Sequence, residues 1–183
     1  MKRRTVFKNL AIASAAAWIL PSCISDPKKV SIALNRLAIT NDDEEMLANM
    51  AATMIPATET PGAREVGAHL FALVMVDDCL PKADQEKYLS GMRNFDAAIK
   101  KVTGKSFINA KAEERLDILT AFEAELDSAD DDTKTFYSRT RNYIIQGYTS
   151  SQHFLTKVKP YQLVPGPHYD GCAPVSSDLK TIS

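Results

Sequence analysis

The chain has 183 residues, with 22 basic and 23 acidic side chains and a formal net charge of −1. That length suits one ordinary domain with a buried core. The absence of a basic excess argues against a nucleic-acid partner.

The first 23 residues read MKRRTVFKNLAIASAAAWILPSC. Lys2, Arg3, Arg4 and Lys8 make a basic start, and an apolar stretch follows from Leu10 to Leu20. This is the build of an export signal, which is kept apart from the fold. The stretch is too short to span a bilayer, which needs roughly 20 apolar residues. The adjacent Arg3 and Arg4 point to the twin-arginine route; an ordinary secretory signal with two arginines is the plainer reading. Leu20-Pro21-Ser22-Cys23 has the form of a lipobox, with a lipid on Cys23 and cleavage before it. A simple cleavage site with an incidental cysteine is the alternative. Each buried methylene adds about 0.8 kcal/mol of membrane affinity, so two or more acyl chains anchor stably. The expected organisation is a signal over 1–22, a tether over 23–38 and a helical domain over 39–183. The expected location is the periplasmic side, as a membrane-anchored lipoprotein. Removing the signal leaves 18 basic and 23 acidic residues, a net of −5.

Apolar spacing predicts five helices in the mature chain. The first spans 41–54, with Thr40 as cap, acids in its first turn, and Leu47, Met50 and Met54 on one face. Pro56 ends it. The second spans 63–79 and stops before Pro81. Its middle, Leu70 to Val76, is apolar almost all round, which suits a central helix or one lying against a partner; a buried strand is the weaker alternative. The third spans 82–103, with Tyr88, Met92, Phe95, Ile99 and Val102 in helical steps and Gly104 as its stop. The fourth spans 110–126, capped by Asn109, with a stripe of Leu116, Leu119, Phe122 and Leu126. The fifth spans 132–147, with Phe136, Thr140, Tyr143 and Ile144 on one side. Asp130-Asp131-Asp132 reads as a solvated loop and helix start. Thr149-Ser150-Ser151 caps a short helical turn through Leu155. No two alternating strands joined by a turn are present, so the predicted fold is an all-α, single helical bundle. The C-terminal tail, rich in proline and aromatic residues, is irregular: four prolines and two glycines between Lys159 and Pro174 exclude a helix.

With Cys23 lipidated, Cys79 and Cys172 remain as an even pair. Outside the cytoplasm they form either a disulfide or two separate thiols. A bond would close a loop of about ninety residues and stabilise the fold by about 4 to 5 kcal/mol through chain entropy.

No nucleotide fingerprint, phosphate loop, haem motif or paired metal-ligand spacing occurs. His69, on the apolar second helix, reads as a packed, hydrogen-bonded histidine rather than a ligand. Asp77 and Asp78 read as the polar edge at which that helix finishes. Accordingly no catalytic, cofactor-binding or metal-binding residue is assigned. The twin-arginine route carries folded proteins. A small chain with such a signal and no cofactor site suggests the export of a larger partner that folds with it.

The residues also carry a resemblance. Ile55-Pro56-Ala57-Thr58-Glu59-Thr60-Pro61-Gly62-Ala63, Gly67-Ala68-His69-Leu70-Phe71 and Asp77-Asp78-Cys79 resemble the gluconate 2-dehydrogenase subunit 3 family. So do Gly147-Tyr148-Thr149-Ser150-Ser151 and the run from Val164 to Cys172. The resemblance spans most of the mature chain, although residues 94–134 add only helical character. The Cys23 lipobox departs from the simplest members. The resemblance implies a non-catalytic subunit paired with a large FAD-dependent dehydrogenase of the glucose–methanol–choline type, which oxidises sugars, sugar acids or alcohols. It further implies a cytochrome c subunit or the quinone pool as electron acceptor, FAD held by the large subunit, and a small subunit that helps the large one mature and cross the membrane. A free-standing helical lipoprotein that binds an envelope protein or a glycan is the alternative function. On the first reading, the expected contact surfaces are the second helix, through Leu70 and Phe71, and the tail, through Tyr161 and Tyr169. Interfaces favour such aromatic residues over lysine and glutamate.

Overall fold

Thr40 and Asp43 open the helical part of the chain with a reciprocal pair of bonds. The Thr40 hydroxyl accepts the Asp43 N–H at 3.3 Å, and the Asp43 carboxylate accepts the Thr40 N–H at 2.8 Å. This capping box starts α1 (Asn41–Met54), whose bounds agree with the sequence expectation. The structure, a computed structural model, describes residues 30–159. All regular structure among them is helical: α2 (Ala68–Cys79), α3 (Lys82–Thr103), α4 (Ala112–Ala124) and α5 (Asp131–Thr149), followed by a π-turn (Phe154–Val158). Arg3, Arg4, Cys23, Tyr161, Tyr169 and Cys172 lie outside the described residues, as do the signal and almost all of the tail.

Five helix ends differ from expectation, at the start of α2 and at both ends of α4 and α5. α2 starts at Ala68 rather than Ala63, because Gly67 takes a left-handed conformation (φ +72°) that a continuing helix cannot contain. α4 is shorter at both ends, and Asn109 does not cap it: Lys111 stands at the cap with no side-chain bond. A 3-10 turn (Leu126–Ser128) replaces its last turn. α5 starts at Asp131, where the Asp130 carboxylate accepts the Thr133 N–H at 2.9 Å and the Thr133 hydroxyl at 2.7 Å.

The core forms where α5 packs along both α2 and α3. Phe95 of α3 lies at its centre, with Phe107, Phe122 and Phe136 edge-to-face at ring separations of 5.8, 5.6 and 5.2 Å. The buried Tyr88 hydroxyl shares a hydrogen bond of 2.8 Å with the Thr140 hydroxyl, so neither oxygen is left unsatisfied. Burial pushes the Tyr88 pKa well above its ordinary value. α4 buries Ile118, Leu119 and Phe122, but Leu116 is 58% exposed. The expected stripe is therefore wrong at Leu116, which lies about 200° around the helix from Ile118.

The expected tether is described from residue 30 onward, and there it is fastened to the domain. The Ser31 N–H donates to Glu44 Oε2 at 2.7 Å. The N–H groups of Asn35, Arg36 and Leu37 all donate to the Asp77 carboxylate, at 2.6, 2.7 and 2.7 Å. Asp77 is thus not a polar helix edge; it is 2% exposed and clamps the incoming chain, while Asp78 faces solvent. Burial alone would raise its pKa, but the three N–H donors outweigh that and hold it below the ordinary 3.8. The buried Gln85 side chain closes the same end of α2 by donating to the carbonyls of Val76, Asp77 and Leu80.

Two substitutions test this account. Asp77→Ala leaves three backbone donors without an acceptor and should cost about 2–4 kcal/mol in denaturant unfolding. The Asp77 contribution is present above the ordinary carboxyl pKa and lost as pH falls through the depressed one, so the wild-type and D77A unfolding midpoints should converge in acid. Gly91 of α3 lies directly under the Asp132 carbonyl of α5, where a Cβ has no room. Gly91→Ala should force the helices apart at a cost of about 1–3 kcal/mol, read as a lower melting temperature; an unchanged melting temperature would contradict the crossing.

Candidate functional site

One end of the molecule gathers three segments that are distant in sequence. The loop after α1 folds back so that the Ala63 N–H reaches the Ile55 carbonyl at 2.9 Å. Gly62 presses against the backbone of Ile55 to Ala57, where no side chain fits. The Tyr148 hydroxyl of α5 donates to the Pro61 carbonyl at 3.4 Å. Gly147 of α5 lets the Phe71 side chain of α2 approach to 3.0 Å of where a Cβ would stand. The run from Ile55 to Ala63, the start of α2 and the Gly147–Ser151 segment thereby meet at one surface.

A groove of about 420 Å³ lies at that meeting point. Val66, Gly67 and Phe71 line one wall, and Gly147, Ser151 and His153 the other. The Ser151 hydroxyl accepts the Phe154 N–H at 3.2 Å and starts the short turn expected there. Phe154 packs on Tyr148 at a ring separation of 5.9 Å. The Nε2 atom of His153 is buried and has no hydrogen-bond partner among the described residues.

α2 is buried on one side only. Ala68, Ala72, Leu73 and Val76 face the core. Leu70, Phe71 and Met75 are half-buried at the flanks, Phe71 against Gly147 of α5, while Val74 is 39% exposed and Cys79 is exposed at the far end. Among the described residues, the apolar middle seen in the sequence thus belongs to a helix that leaves Val74 exposed and Leu70 and Phe71 half-buried. Cys79 Sγ lies 4.0 Å from Met75 Sδ. Its expected partner Cys172 lies outside the described residues.

A second apolar depression, of about 300 Å³, has no counterpart in the sequence reading. Met54 and Ile55, Leu116 and Leu119, and Tyr137 and Ile145 line it, so it lies between the end of α1 and the bodies of α4 and α5. Leu116 is 58% and Ile145 42% exposed. Burial, with Glu123 nearby, pushes the Tyr137 pKa up to about 12, so its phenol stays protonated at neutral pH.

Among the described residues no group of three or more histidine, cysteine, aspartate or glutamate side chains could hold a metal ion, and no helix is long and apolar enough to cross a membrane. His69 is buried as expected, but its Nδ1 has no hydrogen-bond partner among the described residues, against the expected bonded state. Desolvation lowers its pKa below the ordinary 6.5, with Arg64 adding to the shift and Glu44 and Glu45 opposing it.

These features define, over the described residues, an all-helical protein with two surface depressions. Residues 41–166 match the family model described as gluconate 2-dehydrogenase subunit 3. The chain belongs to the gluconate 2-dehydrogenase subunit 3 family. No curated protein and no solved structure matches it.

Because His69 is held neutral, its contribution to stability is present above pH 6.5 and lost as pH falls through that value toward the lower folded pKa. His69→Gln should flatten the loss of stability between pH 7.5 and pH 5. Parallel slopes for the two proteins in pH-dependent unfolding would show that the imidazole is not the group responsible.

Proposed function

We propose that this chain is the non-catalytic accessory subunit of a membrane-associated, FAD-dependent dehydrogenase of the glucose–methanol–choline type. The substrate class is a sugar, sugar acid or alcohol. The small subunit assists maturation of the large one and its export by the twin-arginine route, with Arg3 and Arg4 supplying the signal for both. The flavin belongs to the large subunit and none is held here, and a cytochrome c subunit takes the electrons. A lipid on Cys23 holds the complex on the periplasmic side of a membrane.

The family match over residues 41–166 carries this reading. The meeting of three sequence-distant segments at one end, beside the exposed Val74 and the half-buried Leu70 and Phe71 of α2, supports it. An exposed apolar surface of aromatic, methionine and aliphatic side chains is what a partner protein covers. Leu70 and Phe71 on α2, with Tyr161 and Tyr169 of the tail, are the proposed contacts.

A pull-down of the tagged mature chain from native membranes tests the proposal. The expected eluate contains a large flavoprotein, identified by its absorbance and by mass spectrometry. That flavoprotein should disappear from the envelope when Arg3 and Arg4 are both replaced by lysine. A colourless chain that elutes alone would overturn the subunit reading.

A further inference from the structure

Residues 31–39 belong to the domain rather than to a tether. Leu37 is buried, and Ile32, Leu34 and Ile39 pack against the core. Their backbone is bonded to Glu44, at the start of α1, and to Asp77, at the end of α2. Gln85 brings the first turn of α3 to the same place. These residues form one edge of the molecule, the seat. The groove lies at the other end of α1 and α2: Gly67 and Phe71 line it, and the loop from Ile55 to Ala63 frames it. From Asn41 to Met54, α1 covers about 20 Å between the two ends.

This fastening sets how far the domain can stand from a lipid on Cys23. Were residues 24–38 a free tether, Ile39 could stand up to about 58 Å from that lipid. With Ser31 seated, the limit for the seat is about 29 Å, whatever course residues 24–30 take. A partner domain of about 100 residues is ~34 Å across. With the groove end turned toward the bilayer and such a partner between them, the seat would be lifted by the partner's width and the length of α1, about 54 Å in all. The longer limit permits that arrangement, and the shorter one forbids it.

We propose that the seat is the bilayer-facing edge of the domain, leashed there by residues 24–30 alone, and that the groove end faces away, so that the partner docks on the outward side. The seat mixes exposed Arg36 and Lys82 with exposed Asp42 and Asp78, so the leash rather than net charge sets the orientation. The inference rests on the proposed lipid at Cys23. It deepens the subunit reading by fixing which side of the small subunit the large one occupies.

The test is energy transfer from a fluorophore on the purified mature chain to acceptor-labelled headgroups in phosphatidylcholine–phosphatidylglycerol vesicles. One donor sits on Cys79, two residues from Asp77, in Cys172→Ser. The other sits on Gln152→Cys at the groove, with Cys79 and Cys172 both replaced by serine. The expected result is several-fold stronger transfer from Cys79. A glycine–serine insertion that trebles the leash should abolish the difference at unchanged helical circular dichroism. In a lipidated chain, equal transfer from the two sites, or a difference that survives the insertion, would overturn this orientation and leave the subunit reading standing. An intact mass without lipid on Cys23 would overturn the anchor and the orientation together, with the flavoprotein pull-down still deciding the subunit reading.

Discussion

The Asp77 carboxylate holds the two ends of the fold's logic together. It accepts three consecutive backbone N–H groups from residues 35–37 while sitting near the C-terminal end of α2. A carboxylate so buried is tolerable only because those donors replace its water. The incoming chain, in turn, has a fixed point of arrival. Glu44 makes a similar bond to Ser31, so two acids on two helices seat one segment. Gln85 then ties α3 to the last carbonyls of α2. With its end fixed in this way, α2 can leave Val74 exposed and still hold its place.

The opposite end of α2 is governed by close approach. Gly62, Gly67 and Gly147 let backbone and ring pack where side chains would collide or strain. The result is a surface on which the loop after α1 and the end of α5 frame the first turns of α2. Loops that are pinned to a rigid scaffold in this manner are common places for recognition. The aromatic core around Phe95 supplies that scaffold and lies well inside it.

Family membership and local structure meet at this surface. The family match over residues 41–166 takes in the loop and all five helices. Helices α3 and α4 contribute core side chains. A bundle can be packed by many apolar sequences of similar volume.

The sequence alone determined the helices and half of their ends, because apolar periodicity, Pro81, Gly104 and the Thr40 cap act over a few residues. It also singled out Leu70 and Phe71, which the structure leaves half-buried. Tertiary structure decided what local signals cannot carry. The left-handed turn at Gly67 delays α2 by five residues, since the loop before it must fold back on Ile55. Leu116 turns outward because α4 docks through Ile118 and Phe122. Asp77 looked like a solvated helix end, and its burial became legible only when residues 35–37, some forty positions earlier in the chain, arrived to satisfy it. Hydrogen bonds of that span leave no trace in periodicity, because their partners are set by how the chain folds back on itself.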